Sequence, residues 1–182
     1  MQFQPMEVKD KLGRTVILRS AEPADAEDLI RYLKVTAAET RFLAKEPEEI
    51  TLTQEEEVAF LTSYQLSKNQ LMLIATLEGK HIGNCSFSPV ADMIRYKHRC
   101  SIGIALYEEY CGCGIGGQML TALLAAAKSA GFEQAELEVV SENKRAIALY
   151  EKLGFVRYGT FPNNMKYPDG TYASADWMMK IL

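Results

Sequence analysis

Seven consecutive residues, Cys111-Gly112-Cys113-Gly114-Ile115-Gly116-Gly117, limit what this chain can become more than any other stretch. Glycine reaches positive φ without steric cost and leaves its amide open to close approach. The residues that follow, Ile115 to Ala130, place Ile115, Met119, Leu120, Leu123 and Ala127 on one helical face. The residues before, Cys100 to Leu106, read as a strand with Gly103 inside it, a mark of a bulge or a close backbone approach. A glycine-rich turn between strand and helix directs the first helical N–H groups, which have no acceptor within the helix, at one point. With the helix dipole, about half a unit charge, they form an anion site suited to a pyrophosphate. Four glycines in six positions weigh against a plain tight turn.

Two well-known phosphate loops fit less well. A Walker A loop needs Lys and Ser or Thr after its last glycine, and Gln118 stands there instead. The dinucleotide fingerprint G-x-G-x-x-G is met by Gly112, Gly114 and Gly117, with Glu138 about 20 residues onward. In that fold, however, the first glycine comes almost directly off the strand, and here Tyr107 to Cys111 intervene. The turn also lies in the C-terminal half, which leaves too few residues for a doubly wound sheet. A nicotinamide-dinucleotide enzyme stays as the lesser alternative.

The remaining periodicities give an element order of β-α-α-β-β-β-α-β-α-β-β, an α/β domain with a mixed sheet. Val16 to Arg19 reads as the first strand and Ala24 to about Ala38 as a helix. Glu46 to Glu49 reads as a loop. Thr53, with Glu56 three residues on, signals a capping box that opens a second helix ending at Tyr64 or Gln65. Leu71 to Ala75 and Ile82 to Phe87 flank a Glu78-Gly79-Lys80 turn. Ala135 to Val140 alternates as a strand, and Asn143 caps a helix with Ala146, Leu149, Tyr150 and Leu153 on its inner face. Phe155 to Phe161 and Ala175 to Ile181 complete the set. No linker or repeat divides the chain, so residues 1–182 read as a single domain.

The cofactor-turn segment Ile102 to Gly116 and the later Asn143 to Phe155, about 30 residues apart and in this order, resemble the two signatures of the GCN5-related N-acetyltransferase (GNAT) family. The likeness covers Cys100 to Val156. The tail from Asp169-Gly170-Thr171-Tyr172 through Asp176 and Met178 is similar to the ribosomal-protein and polyamine acetyltransferase branch. The resemblance implies a GNAT-like fold: a mixed, mostly antiparallel central sheet, splayed at a bulged strand and flanked by helices. It implies acetyl-CoA as co-substrate. Backbone groups of Ile104 and Leu106 would pair with the pantetheine amides like an added strand. Amides of Cys111, Gly112, Cys113, Gly114, Ile115, Gly116 and Gly117 would hold the pyrophosphate. Asn143 would contact the cofactor arm, and Tyr150 would sit beside the sulfur. Cys111 departs from the pattern, because the family prefers Gln or Arg there. A helix N-terminus can lower a thiol pKa, which leaves the reactivity of Cys111 open.

Acyl transfer from a thioester to an amine needs a neutral amine, a polarised carbonyl and a stabilised thiolate. An alkylamine with a pKa of ~10.4 is mostly protonated at neutral pH, so its proton has to leave. Tyr150 is the expected general acid to the thiolate, the backbone N–H of Leu106 or a neighbour the polarising donor, and Glu108 or Glu138 the candidate base. The expected reaction is direct attack by a primary amine in a ternary complex. A catalytically silent acyl-CoA-binding module is the alternative. Acidic stretches at Glu46, Glu48 and Glu49 and at Glu55 to Glu57 suggest a cationic small-molecule or protein acceptor.

The formal charge of −4 argues against a nucleic-acid partner. No apolar run reaches membrane-spanning length, and the N-terminus lacks a signal-peptide core, so the expected location is cytoplasmic. Cys85 and Cys100 read as small core residues. Two histidines and a single Cys-x-Cys leave no metal set. Monomer and homodimer are both compatible with the sequence.

Overall fold

The computed structural model describes residues 1–182. Its eight strands form one sheet in the order β1-β2-β3-β4-β5-β6-β8-β7. The elements run β1 (Met6–Lys9), β2 (Thr15–Ser20), α1 (Ala26–Glu39), α2 (Gln54–Leu66), β3 (Leu71–Leu77), β4 (Lys80–Pro89), β5 (Arg99–Leu106), α3 (Ile115–Ser129), β6 (Gln134–Val140), α4 (Lys144–Lys152), β7 (Val156–Lys166) and β8 (Tyr172–Ile181). Every neighbouring pair is antiparallel except β5 and β6. A parallel pair needs a long crossover, and α3 supplies it. The doubly wound sheet that a dinucleotide enzyme requires is therefore not present.

Local chemistry sets the helix starts as the sequence indicates. Thr53 Oγ1 accepts from Glu56 N at 3.2 Å, and Thr53 N donates to Glu56 Oε2 at 2.9 Å, closing the capping box on α2. Asn143 Oδ1 accepts from Ala146 N at 3.1 Å at the start of α4. The main core lies between one sheet face and α3, where Ile115, Met119, Leu120 and Leu123 are fully buried against Leu18, Leu73, Cys85 and Phe87. A smaller core under α1 and α2 centres on Leu29, Tyr32, Leu61 and Ile74. Cys85 and Cys100 are both buried, and burial pushes their thiols up, Cys100 to about 12.

Three details differ from the sequence reading. The strand β1 precedes the expected first strand. It is an edge strand of four residues with only Val8 partly buried, so it carries no alternating pattern to detect. Strand β7 runs on to Lys166, past an irregular stretch between Phe161 and Met165 where Asn163 takes φ 52°. The expected bulge in β5 is absent from its ladder with β4, which runs unbroken from Gly83↔Leu106 to Pro89↔Cys100. The register shift falls instead between β3 and β4, at Ala75/Thr76. A Cβ on Gly83 would meet Leu106 Cγ at 2.7 Å, so the close approach belongs to Gly83 and not to Gly103, whose missing Cβ faces open space.

Candidate active site

The parallel ladder between β5 and β6 lasts only three residues, Arg99↔Gln134 to Ser101↔Glu136. Beyond it the strands part, and Ile102 to Leu106 keep one backbone edge without a strand partner. Unpaired strand edges are templates for extended ligands. The gap opens into a cleft of about 1840 Å³ that runs from the glycine turn to the far ends of β6 and β7. Ile104 and Leu106 line it, as do Cys111, Gly112, Gly114, Gly116 and Gly117, and then Asn143, Tyr150 and Glu138. The structure thus brings nearly all the expected residues to one cleft. Cys113 and Ile115 turn inward against the main core, leaving only their backbone to serve a ligand.

Gly112 and Gly114 take φ of +80° and +85°, and Gly114 is the N-cap of α3. An L side chain at either position would be strained by about 1–2 kcal/mol. Gly116 and Gly117 are helical. A Cβ on Gly116 would come no nearer than 3.4 Å, to Leu149 Cδ2, and one on Gly117 no nearer than 3.6 Å, so the protein itself does not demand glycine there. Their bareness serves whatever occupies the cleft. These glycines, the open β5 edge and the helix N-terminus together fit a CoA pyrophosphate and pantetheine.

Tyr150 is 7% exposed, packs against Phe155, and borders the cleft. Burial pushes its phenol up to about 12, with a further push from Cys85. The hydroxyl therefore keeps its proton throughout the physiological range. Asn143 spends its carbonyl oxygen on the α4 cap and retains its amide N–H groups for a ligand. Cys111 is half-buried, and burial pushes its thiol up against a smaller opposing pull from Arg145. The thiol stands outside the first turn of α3, whose N-cap is Gly114, three residues on.

The two carboxylates considered as bases lie apart. Glu108, in a short turn after β5, lines an adjoining pocket of about 470 Å³ with Glu39, and that pocket shares Leu106, Cys111, Asn143 and Arg145 with the main cleft. Glu138 lies at the other end of the main cleft and is the only acidic residue that lines it. Its Oε1 accepts from Asn164 Nδ2 at 2.7 Å and its Oε2 from Trp177 Nε1 at 2.8 Å. Both donors are neutral, so the carboxylate is held in place without a counter-ion. The acidic stretch that suggested a cationic acceptor does not reach this cleft. Glu46 and Glu49 close a cap around Pro47, Glu56 caps α2, and Glu57 is buried. Glu138's two donors come from β7 and β8, 26 and 39 residues away in sequence, which left no local signal.

Arg41, after α1, lies 3.8 Å over the Tyr167 ring and donates to Thr171 Oγ1 at 3.0 Å. This contact joins the α1–α2 connection to the β7–β8 hairpin. No helix is long and apolar enough to cross a membrane, and no group of three or more His, Cys, Asp or Glu could hold a metal ion.

The family model described as Acetyltransferase (GNAT) family matches residues 26–155. The crystal structure of a GNAT-family acetyltransferase from Streptococcus pneumoniae superposes with a TM-score of 0.88 and 30% identity, over 92% of this chain and 99% of that one. A phosphinothricin acetyltransferase from Sinorhizobium meliloti, solved in complex with AcCoA, gives a TM-score of 0.81 at 21% identity, over 92% and 88%. N-alpha-acetyltransferase 30 of Schizosaccharomyces pombe is 38% identical over 55 residues, which is 30% of this chain and 37% of that relative's length. The matched span holds both cleft-forming signatures, the strand-turn-helix around Gly114 and the Asn143–Phe155 helix, and the chain belongs to the GNAT family of acetyl-CoA-dependent N-acetyltransferases.

Proposed function

We propose that this chain transfers the acetyl group of acetyl-CoA directly to a cationic primary amine. The observation that carries the reading is the parting of β5 and β6 after three paired residues, with the glycine turn at one end of the gap and Glu138 at the other. Acetyl-CoA supplies the thioester carbonyl. The amides from Cys111 to Gly117 take the pyrophosphate, the free edge at Ile104 and Leu106 pairs with the pantetheine amides, and the Asn143 amide steadies the arm. An N–H of this edge near Leu106 polarises the carbonyl. Tyr150 donates a hydrogen bond to the departing sulfur. A thiol ionises near ~8.5, well below this phenol, so the role is a held donor and not a proton given up outright.

Glu138 draws the acceptor's ammonium to the cleft and passes its proton to solvent, to which the carboxylate is exposed. The uncompensated charge favours acceptors that are themselves positive, a polyamine or the N-terminus of a basic peptide. Glu108 lines the adjoining pocket and not the main cleft, so Glu138 is the base this reading assigns.

The test is release of free CoA from acetyl-CoA in the presence of an amine panel: a basic peptide with a free N-terminus, a polyamine and a neutral amino acid. Turnover with either cationic acceptor above the neutral one is expected. Thermal stabilisation by CoA with no turnover on any amine would establish the silent-module alternative instead.

A further inference from the structure

The glycine turn offers no charged or amide side chain of its own, yet a cation rests on it. The tip of the β1–β2 hairpin is docked against the turn. Lys11 N donates to Cys113 O at 2.9 Å, and Gln118 Nε2 donates to Lys9 O at 2.7 Å. The Lys11 side chain crosses Gly114, whose missing Cβ would lie 3.2 Å from Lys11 Cγ, and its Nζ donates to Gly112 O at 3.1 Å. The hairpin tip is itself held firmly. Asp10, buried, accepts from Leu12 N at 2.9 Å, from Arg14 N at 2.8 Å and from Arg14 Nε at 2.7 Å. Lys11 is exposed and lines the same cleft as Gly112 and Gly114.

An ammonium carries three N–H groups, and this one uses a single hydrogen bond within the chain. We propose that Lys11 is a cofactor-binding residue whose ammonium pairs with the CoA pyrophosphate at the glycine turn, providing the side-chain cation that Cys111 does not. This rests on the acetyl-CoA reading above. The pyrophosphate is the partner, not the ribose 3′-phosphate, because Lys11 is latched to the carbonyls of Gly112 and Cys113 and lines the cleft at the turn itself. The β1–β2 hairpin, more than 100 residues from the turn in sequence, is thereby part of the cofactor site.

The experiment compares wild type, Lys11→Met and Lys11→Arg. Methionine keeps the aliphatic contact over Gly114 and the backbone latch while removing the charge. Calorimetry gives Kd for CoA, 3′-dephospho-CoA and pantetheine, and steady-state assays give KM and kcat with acetyl-CoA and with acetyl-pantetheine. Lys11→Met should weaken CoA and 3′-dephospho-CoA alike by about 5- to 10-fold, the range for one charge-assisted contact at a partly exposed site. It should leave pantetheine binding and kcat unchanged, and Lys11→Arg should restore affinity. The wild-type affinity for CoA should fall with added salt more steeply than that of Lys11→Met. An equal loss for CoA and pantetheine, or no loss for CoA, overturns the proposal. A loss confined to CoA and absent for 3′-dephospho-CoA overturns the pyrophosphate assignment. A wild type that binds CoA but acetylates nothing sinks the acetyl-transfer reading alone, and the Kd comparison still decides Lys11. A wild type that binds no CoA sinks both.

Discussion

The two ends of the cleft are built on different principles. At the cofactor end the chemistry is backbone: a strand edge left open at Ile104 and Leu106, two glycines at positive φ, and the first amides of α3. At the proposed acceptor end it is a side chain held from distant segments: Glu138 fixed by Asn164 and Trp177. Backbone amides recognise a diphosphate whatever the neighbouring side chains are, so the cofactor end tolerates two cysteines in its turn. A carboxylate held by neutral donors has a specificity that one substitution can remove. The first end is therefore suited to a constant co-substrate and the second to a selective one. Tyr150 lines the same cleft, and in the proposed mechanism perturbing it reveals the chemistry that neither end performs alone.

The largest expected effect lies there. Tyr150→Phe keeps the ring packing against Phe155 and removes the donor to sulfur. It should lower kcat by about 10²-fold, in the range for removing one preorganised hydrogen-bond donor to developing negative charge, with KM for acetyl-CoA little changed. Because burial raises the phenol to about 12, the donor form persists as pH rises, and the wild-type rate should show no loss from Tyr150 ionisation below about pH 11. A pH–rate profile and the kcat-against-KM split check both parts. Unchanged kcat would remove Tyr150 from the mechanism.

Next comes a change meant to damage the cofactor end only. Gly114→Ala imposes a Cβ at φ +85°, at a cost of about 1–2 kcal/mol, and crowds the Lys11 side chain. If the strain falls on the cradle, Kd for CoA should rise by about 10-fold by calorimetry while KM for the amine stays put. The complementary change is Glu138→Gln, which keeps the side chain's shape and one acceptor oxygen, leaves one of the Asn164 and Trp177 donors without it, and removes the charge. It should lower kcat/KM for a cationic amine by up to about 5-fold, the weight of one solvent-exposed ion pair, and leave Kd for CoA alone. Kinetics with matched cationic and neutral amines read it out. If Glu138→Gln weakened both amines equally, the division of labour between the two ends would be wrong in its acceptor half.

This same division explains what the sequence makes legible. The cofactor end is contiguous: Gly112 to Gly117, the α3 face and the Asn143 cap all depend on residues within a few positions of one another, and all are where periodicity and capping rules put them. The acceptor end and the hairpin latch are assembled by contacts across 26 to 109 residues, which leave no local mark. The run of glutamates near Glu46 and Glu55 looked like an acceptor surface because charge density is visible in sequence, while its use in capping α2 and the turn at Pro47 depends on geometry. The short strand β1 had neither alternation nor burial to announce it, and so Lys11 could not be tied to the turn.

The smallest expected effect tests the claim that the cofactor end is backbone. Cys111 stands where the family prefers a side-chain donor, and its thiol is half-buried and shifted upward by burial. A raised thiol pKa means that the thiolate is scarcer at every pH below it than in a free cysteine, whose ionisation is centred near ~8.5. In a Cys113→Ser background, with Cys85 and Cys100 shielded in the core, alkylation of Cys111 should lag behind free cysteine at pH 7.5. Its rate should keep climbing above the pH at which free cysteine levels off. Cys111→Ser should leave Kd for CoA within about twofold, because no strong contact is exchanged. A tenfold loss would mean that the thiol itself touches the cofactor, and that one side chain in the turn contributes where only amides and Lys11 are expected to.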